Sequence, residues 1–183
     1  MNIKIPKELK IKCWDFLKNN NLGNRLEANG NKEQQFVGLV GEFMVVNLFG
    51  LEYKFSYGFD GGFDFKHNGK KIDVKTMGRT VDPKPNFVNN FIAFQKNFNC
   101  DLYIFTSLNK KSNELNICGY LSKEDLLSKS ILYKKGTKRE RANGTSFTLK
   151  ADTYEIENFK LNDINQLIWE QHKHITTMAK ITM

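Results

Sequence analysis

The dipeptide Asn68-Gly69 stands between two short runs in which apolar and polar residues alternate: Gly61-Gly62-Phe63-Asp64-Phe65-Lys66-His67 before it and Lys70-Lys71-Ile72-Asp73-Val74-Lys75-Thr76 after it. Asn-Gly in that setting is the strongest short-range sign of a β-hairpin. A two-residue type I′ turn needs positive φ at both central positions, which Asn and Gly adopt at little cost. The turn dictates a register in which His67 faces Lys70, Lys66 faces Lys71 and Phe65 faces Ile72. Asp64 is then predicted to lie directly opposite Asp73, with Lys75 on the same face opposite Gly62. Phe63, Phe65, Ile72 and Val74 are predicted to take the other face as a core surface. One register thus serves both an apolar face and a charged cluster.

Two carboxylates opposed across a strand pair, with side-chain roots about 4.5–5.5 Å apart, repel and destabilise the pair. Lys75 offsets part of that cost, and a hard divalent cation offsets more. Oxygens from Asp64 and Asp73 can reach one Mg²⁺ at about 2.0–2.1 Å and leave positions for water and a phosphate. A third acid comes from the preceding segment, Phe36-Val37-Gly38-Leu39-Val40-Gly41-Glu42-Phe43-Met44-Val45-Val46, in which Glu42 is the only charge. A helix apolar on every side is normally buried, and a buried carboxylate is costly unless paired or metal-bound. Gly38 and Gly41 each weaken such a helix by about 1 kcal/mol relative to Ala. Their expected return is a close approach of helix to sheet that brings Glu42 towards the two aspartates.

At 183 residues the chain suits one domain with its own core. A helix is predicted over 6–19, with Leu9, Cys13, Phe16 and Leu17 on one face, and a second over 33–49, closed by Gly50. Residues 76–86, polar and carrying Pro83 and Pro85, read as a mobile connection. Strands are expected at 87–94, 102–108, 115–120 and near Phe147, and a short helix opens at Ser122-Lys123-Glu124-Asp125. A basic loop spans about 134–146, and a last helix, about 162–174, carries Ile164, Leu167 and Ile168. This order indicates an α/β domain with a mixed β-sheet flanked by helices. The formal charge of +8 favours an anionic partner, nucleic acid or a membrane surface. No apolar run approaches the roughly 18 residues that cross a bilayer, and the first residues lack a signal-peptide core. Three cysteines without a Cys-x-x-Cys pair argue against a disulfide framework or zinc site. A soluble, cytoplasmic protein with no membrane partner is expected.

Glu42 on an early apolar helix, followed by Asp64-x8-Asp73-Val74-Lys75 on a hairpin, resembles the PD-(D/E)XK nuclease superfamily, the restriction-endonuclease-like fold. The strand at 102–108 and its partner are similar to that core's sequel, so the resemblance covers about 33–124. It implies that Asp64 and Asp73 bind catalytic Mg²⁺, for which Mn²⁺ can substitute. Lys75 would orient or activate the attacking water, Glu42 would bind or position metal directly or through water, and the Val74 carbonyl would be a further ligand. Phe63 stands where the name-giving Pro would. The implied activity is a metal-dependent DNA endonuclease of restriction, repair or phage type. A branched-DNA resolvase or exonuclease on the same core, and a nucleic-acid-binding module that does not cut, remain open. Cutting both strands of a duplex generally needs two sites, which makes a homodimer one expectation.

Asp60 rivals Asp64, since Asp60-Gly61-Gly62 can itself form a ligand loop; the register favours Asp64. Lys134, Lys135, Lys138, Arg139 and Arg141, in one short segment, are candidates to grip phosphates, an interaction that weakens with salt. Asn143, Thr145 and Ser146 are candidates for additional hydrogen bonds to DNA. Gln35 is read as structural, His67, His172 and His174 as surface residues, and Trp14 and Trp169 as core.

Overall fold

The computed structural model describes residues 1–22, 30–56, 61–141 and 144–168. Strand β1 (Asn2–Lys4) leads to Pro6, whose fixed φ of −61° suits the N-cap of helix α1 (Lys7–Asn19). Leu9, Cys13 and Leu17 recur every four residues along α1 and are buried. Helix α2 (Lys32–Leu48) opens with a reciprocal cap, in which the Asn31 side chain accepts from Gln34 N–H and the Gln34 side chain accepts from Asn31 N–H. It ends at Gly50, whose φ of 69° lets its N–H reach the Asn47 carbonyl (2.9 Å) and that of Leu51 reach Val46 (3.2 Å).

The hairpin follows as β2 (Phe65–His67) and β3 (Lys70–Arg79), with Asn68 at φ 48° and Gly69 at φ 76°. The pairs Phe65–Ile72, Lys66–Lys71 and His67–Lys70 are those the turn predicts. After β4 (Val88–Ile92) and a 3₁₀ turn (Ala93–Asn97) come β5 (Leu102–Asn109) and β6 (Glu114–Ser122). Helix α3 (Lys123–Lys129) is capped by the Ser122 hydroxyl, which accepts from Asp125 N–H at 3.0 Å. The described chain continues through β7 (Ile131–Tyr133), β8 (Lys138–Glu140), β9 (Ser146–Thr148) and β10 (Thr153–Glu157), then a 3₁₀ turn (Asn158–Lys160).

The main sheet is mixed, in the order β1-β6-β5-β3-β2, with β3 and β5 parallel and the other pairs antiparallel. Helices α1 and α2 cover one face, where Leu17, Val40 and Val45 meet Ile72, Val74 and Ile104. A three-stranded antiparallel sheet, β4-β10-β7, and α3 cover the other, where Phe91, Ile156 and Leu126 meet Tyr103, Phe105 and Leu121. Strand β5 is therefore buried on both faces, which is why it reads as a nearly unbroken apolar run. Strands β8 and β9 pair only with each other.

Several sequence expectations change. Strand β3 runs on through Arg79 where a mobile connection was expected from Thr76. Its parallel ladder with β5 extends to Arg79–Asn109, and Thr106 Oγ1 donates to Thr76 Oγ1 at 2.9 Å. The basic loop contains β8, which pairs with β9, the strand expected near Phe147. Strands β1, β7 and β10 were not predicted; each is defined by distant partners, as in the pair Asn2–Asn116, rather than by local alternation. Of the last predicted helix, residues 165–168 are helical and 169–174 lie outside the described residues. Among the described residues no helix is long and apolar enough to cross a membrane.

Candidate active site

The β2–β3 ladder ends at Phe65–Ile72, and what happens one residue earlier builds the site. Gly61 and Gly62 take φ values of 81° and 87°, bending the incoming chain. Asp64 consequently donates its N–H to the Ile72 carbonyl (2.8 Å) instead of continuing the ladder opposite Asp73. Its Oδ2 accepts the Val74 N–H at 2.6 Å, taking the place of a backbone partner. A strand residue turns its N–H and C=O to the same side. The Val74 carbonyl therefore faces the same edge of β3, where no described strand pairs beyond Ile72.

The bend corrects two predicted placements. Phe63 does not share a face with Phe65, Ile72 and Val74; it packs against the second core. Gly62 does not clear space for Lys75 in a ladder. A Cβ at Gly62 would lie 2.5 Å from Phe98 Cβ, so its missing side chain admits Phe98.

Asp73 and Lys75 share the sheet face of Tyr103 and Phe105, and Lys75 Nζ lies 2.7 Å from Asp73 Oδ2. Both are well enclosed, with side-chain exposures of 8% for Asp73 and 18% for Lys75. Glu42 arrives from α2 on the opposite face. A Cβ at Gly41 would fall 1.8 Å from Thr76 Oγ1, so this glycine sets the close approach of helix to strand; Gly38, expected to share that task, has nothing within 4 Å of such a Cβ. The Tyr53 hydroxyl donates to Glu42 Oε2 at 3.0 Å, and its ring is held by Phe43 and Phe55, each 5.4 Å away between centroids. Tyr53 escaped the sequence reading because its segment has no periodicity and meets Glu42 only through the fold.

Electrostatics tie these groups together. Burial, then the charge of Glu42, then that of Asp73 hold the Asp64 carboxyl well above the usual carboxylate range, against Lys75 and the Val74 N–H, which favour its ionised form. Burial and the neighbouring Glu42 raise the Tyr53 phenol, keeping it a hydrogen-bond donor. The cysteines are free; burial pushes Cys13 and Cys100 up to about 12, so neither is a ready thiolate.

The oxygen-only donor set suits a hard cation such as Mg²⁺, which uses one or two carboxylates and keeps several waters. Among the described residues no three His, Cys, Asp or Glu side chains converge as a ready metal-holding group. The oxygen donors at this edge are the Asp64 and Asp73 carboxylates and the Val74 carbonyl, with Glu42 reaching them from α2. Asp60 lies outside the described residues.

The basic segment is a different kind of site. Arg139 makes a forked contact with the buried Glu155, Nη2 to Oε2 at 2.7 Å, and its guanidinium lies 4.0 Å from the Tyr133 ring centre. Lys134 pairs with Asp152 at 2.9 Å, and Arg141 lies over Phe147 at 4.4 Å, while Lys135 and Lys138 are exposed. Glu155 alternates with Tyr154 and Ile156, which face the main sheet, so β10 separates this segment from Asp73 and Lys75. Thr145 lies 3.4 Å from Arg141, Ser146 is exposed in β9, and Asn143 lies outside the described residues.

Gln35 is structural, bridging α2 to Leu22, Asn21 and Gly30. His67 is half-buried against Phe49. Trp14 is 41% exposed rather than core, stacked on Phe36. Trp169, His172 and His174 lie outside the described residues. Comparison of the chain with protein-family models, characterised proteins and solved structures finds no match in any of the three.

Proposed function

We propose that the chain is a metal-dependent DNA nuclease with a restriction-endonuclease-like core, hydrolysing phosphodiester bonds at Asp64, Asp73 and Lys75. The observation that carries this reading is the Asp64 carboxyl, crowded by Glu42 and Asp73 at an unpaired strand edge with an ammonium close by. Such crowding is costly unless a cation relieves it. Perturbed carboxylates gathered from several elements are characteristic of functional sites. The succession of α2, the β2–β3 hairpin, the parallel β5 and then β6 supports the fold assignment.

Asp64, Asp73 and the Val74 carbonyl would hold Mg²⁺, or Mn²⁺ in its place. When bound, the ion supplies neutralisation of phosphate charge and acidification of water. Lys75, held in place by Asp73, orients the attacking water and donates to the phosphate. Glu42, fixed by Tyr53, holds water on the far side of Asp64. Two copies acting together would cut both strands of a duplex.

A non-cleaving nucleic-acid-binding module is the second reading, favoured by the Lys75–Asp73 contact, which already offsets one carboxylate internally. Incubation with supercoiled plasmid separates the two. Cleavage that needs Mg²⁺ or Mn²⁺, is abolished by EDTA and is lost in Asp73→Ala is the expected result. Binding without cleavage by the wild type, across several DNA forms and both metals, would decide for the second reading.

A further inference from the structure

The hairpin carries a second like-charge opposition, of the other sign. Lys66 and Lys71 are direct cross-strand partners. The turn closes on His67–Lys70 as a hydrogen-bonded pair, so the next pair, Lys66–Lys71, is of the non-hydrogen-bonded kind, whose α-carbons are only about 4.5 Å apart. Like charges directly opposite each other destabilise a strand pair. Both ammonium groups lie over one ring: Lys66 Nζ is 5.6 Å and Lys71 Nζ 5.5 Å from the Phe63 centroid. The ring's negative face relieves a little of the repulsion. Neither ammonium has an ion-pair partner among the described residues. The nearby Asp101 carboxylate accepts the Lys71 backbone N–H at 2.8 Å.

The position of this pair matters as much as its charge. Alternation puts Lys66 and Lys71 on the face of Asp73 and Lys75. Lys71 and Asp73 are two residues apart on one strand, about 7 Å by the strand rise. Phe63, the shared platform, immediately precedes Asp64. An anion between the two ammonium groups would therefore sit beside the candidate catalytic residues, whereas the β8–β9 cations lie beyond the second sheet.

We propose that Lys66 and Lys71, spanning the Phe63 ring, form a seat for one backbone phosphate of a polynucleotide, next to the bond presented to Asp64 and Asp73. The identity of the anion rests on the nuclease reading; the seat itself rests on the register, the ring contacts and the absence of acidic partners among the described residues.

The test is fluorescence anisotropy with a labelled oligonucleotide duplex, with Ca²⁺ replacing Mg²⁺, titrated across a range of salt concentrations. Lys66→Gln/Lys71→Gln is expected to weaken binding about tenfold and to lower the slope of log affinity against log salt by about 1, the share of one phosphate contact. Lys66→Arg/Lys71→Arg should retain most of the affinity, because the charge is kept. Lys135→Gln/Lys138→Gln, at the β8–β9 hairpin, should change binding less than the first pair does. An unchanged slope in Lys66→Gln/Lys71→Gln would overturn the seat. So would equal losses in the Arg and Gln pairs, or competition by polyglutamate as effective as that by unlabelled duplex. Failure of the seat and failure of the nuclease reading are separable. Plasmid cleavage with an unaltered salt slope removes the seat alone; salt-dependent binding that needs both lysines, without cleavage, removes the nuclease reading alone.

Discussion

Two hairpins in this protein are rich in charge, and they use it in opposite ways. At β8–β9 two of the five cations have acidic partners within the fold, Arg139 on Glu155 and Lys134 on Asp152, while Arg141 lies over Phe147 and Lys135 and Lys138 are exposed. In β2–β3 like charges are set against one another, Asp64 near Glu42 and Asp73, and Lys66 opposite Lys71, beside the one opposite-sign contact of Asp73 with Lys75. Residues 134–141 and the β2–β3 hairpin each hold five lysines and arginines, yet the β2–β3 hairpin has the stronger electrostatic reason to take a ligand. What distinguishes them is which charges face their like, a tertiary property that a count of lysines and arginines does not report.

The largest expected effect breaks the β2–β3 side of this comparison. Asp73→Ala or Lys75→Ala should lower plasmid cleavage by about 10²-fold or more, the scale of a lost acid–base or positioning group, while circular dichroism shows the fold intact. Cleavage near the wild-type rate in Asp73→Ala would defeat the site assignment.

On the β8–β9 side the expected loss is in stability. Arg139→Ala leaves the buried Glu155 without its cation. Breaking a buried pair costs about 3–5 kcal/mol; Arg139 is partly exposed, so about 2–3 kcal/mol is expected in urea denaturation. An unchanged midpoint would mean that Arg139 is available for nucleic acid after all.

Gly41→Ala tests how Glu42 reaches the aspartates. The added methyl meets Thr76 at 1.8 Å from its hydroxyl, and overpacking of this kind costs about 1–3 kcal/mol. Cleavage should fall beyond what stability explains, and restoring space with Gly41→Ala/Thr76→Ala, which removes the clashing hydroxyl, should recover part of both losses. Tyr53→Phe is the smallest change: loss of its bond to Glu42 should cost about 1–2 kcal/mol of stability, with kcat reduced more than KM is raised.

The parts of this architecture legible in sequence were those specified locally. Asn68-Gly69 determined the register through Phe65–Ile72, Gly50 closed α2, and the apolar run of β5 reflected burial on both faces. That Asp64 feels the charges of Glu42, Asp73 and Lys75 was legible as well, although the route to it was not. A uniform ladder was expected to oppose Asp64 to Asp73. The left-handed Gly61-Gly62 bend instead ends the ladder, sends the Asp64 carboxylate to Val74 N–H and turns Phe63 to the other core. At that bend Phe98 packs into the space a side chain at Gly62 would need, a contact between residues distant in sequence. Strands β1 and β10 escaped for the same reason, since their pairing partners are remote.

The central claim is the crowding of Asp64, and its titration tests it most directly. A carboxyl whose proton is held more tightly in the folded state than in the unfolded one makes the folded protein bind more protons between those two values. Asp64 thus lowers stability as pH rises from the ordinary carboxylate range through its own raised value, and Asp64→Asn should be more stable than wild type at neutral pH without metal. Carboxyl-carbon NMR of Asp64 should show titration well above the ordinary range in EDTA, falling when Mg²⁺ is added. Titration at the ordinary carboxylate pH, with no response to Mg²⁺ or Mn²⁺, would contradict the account.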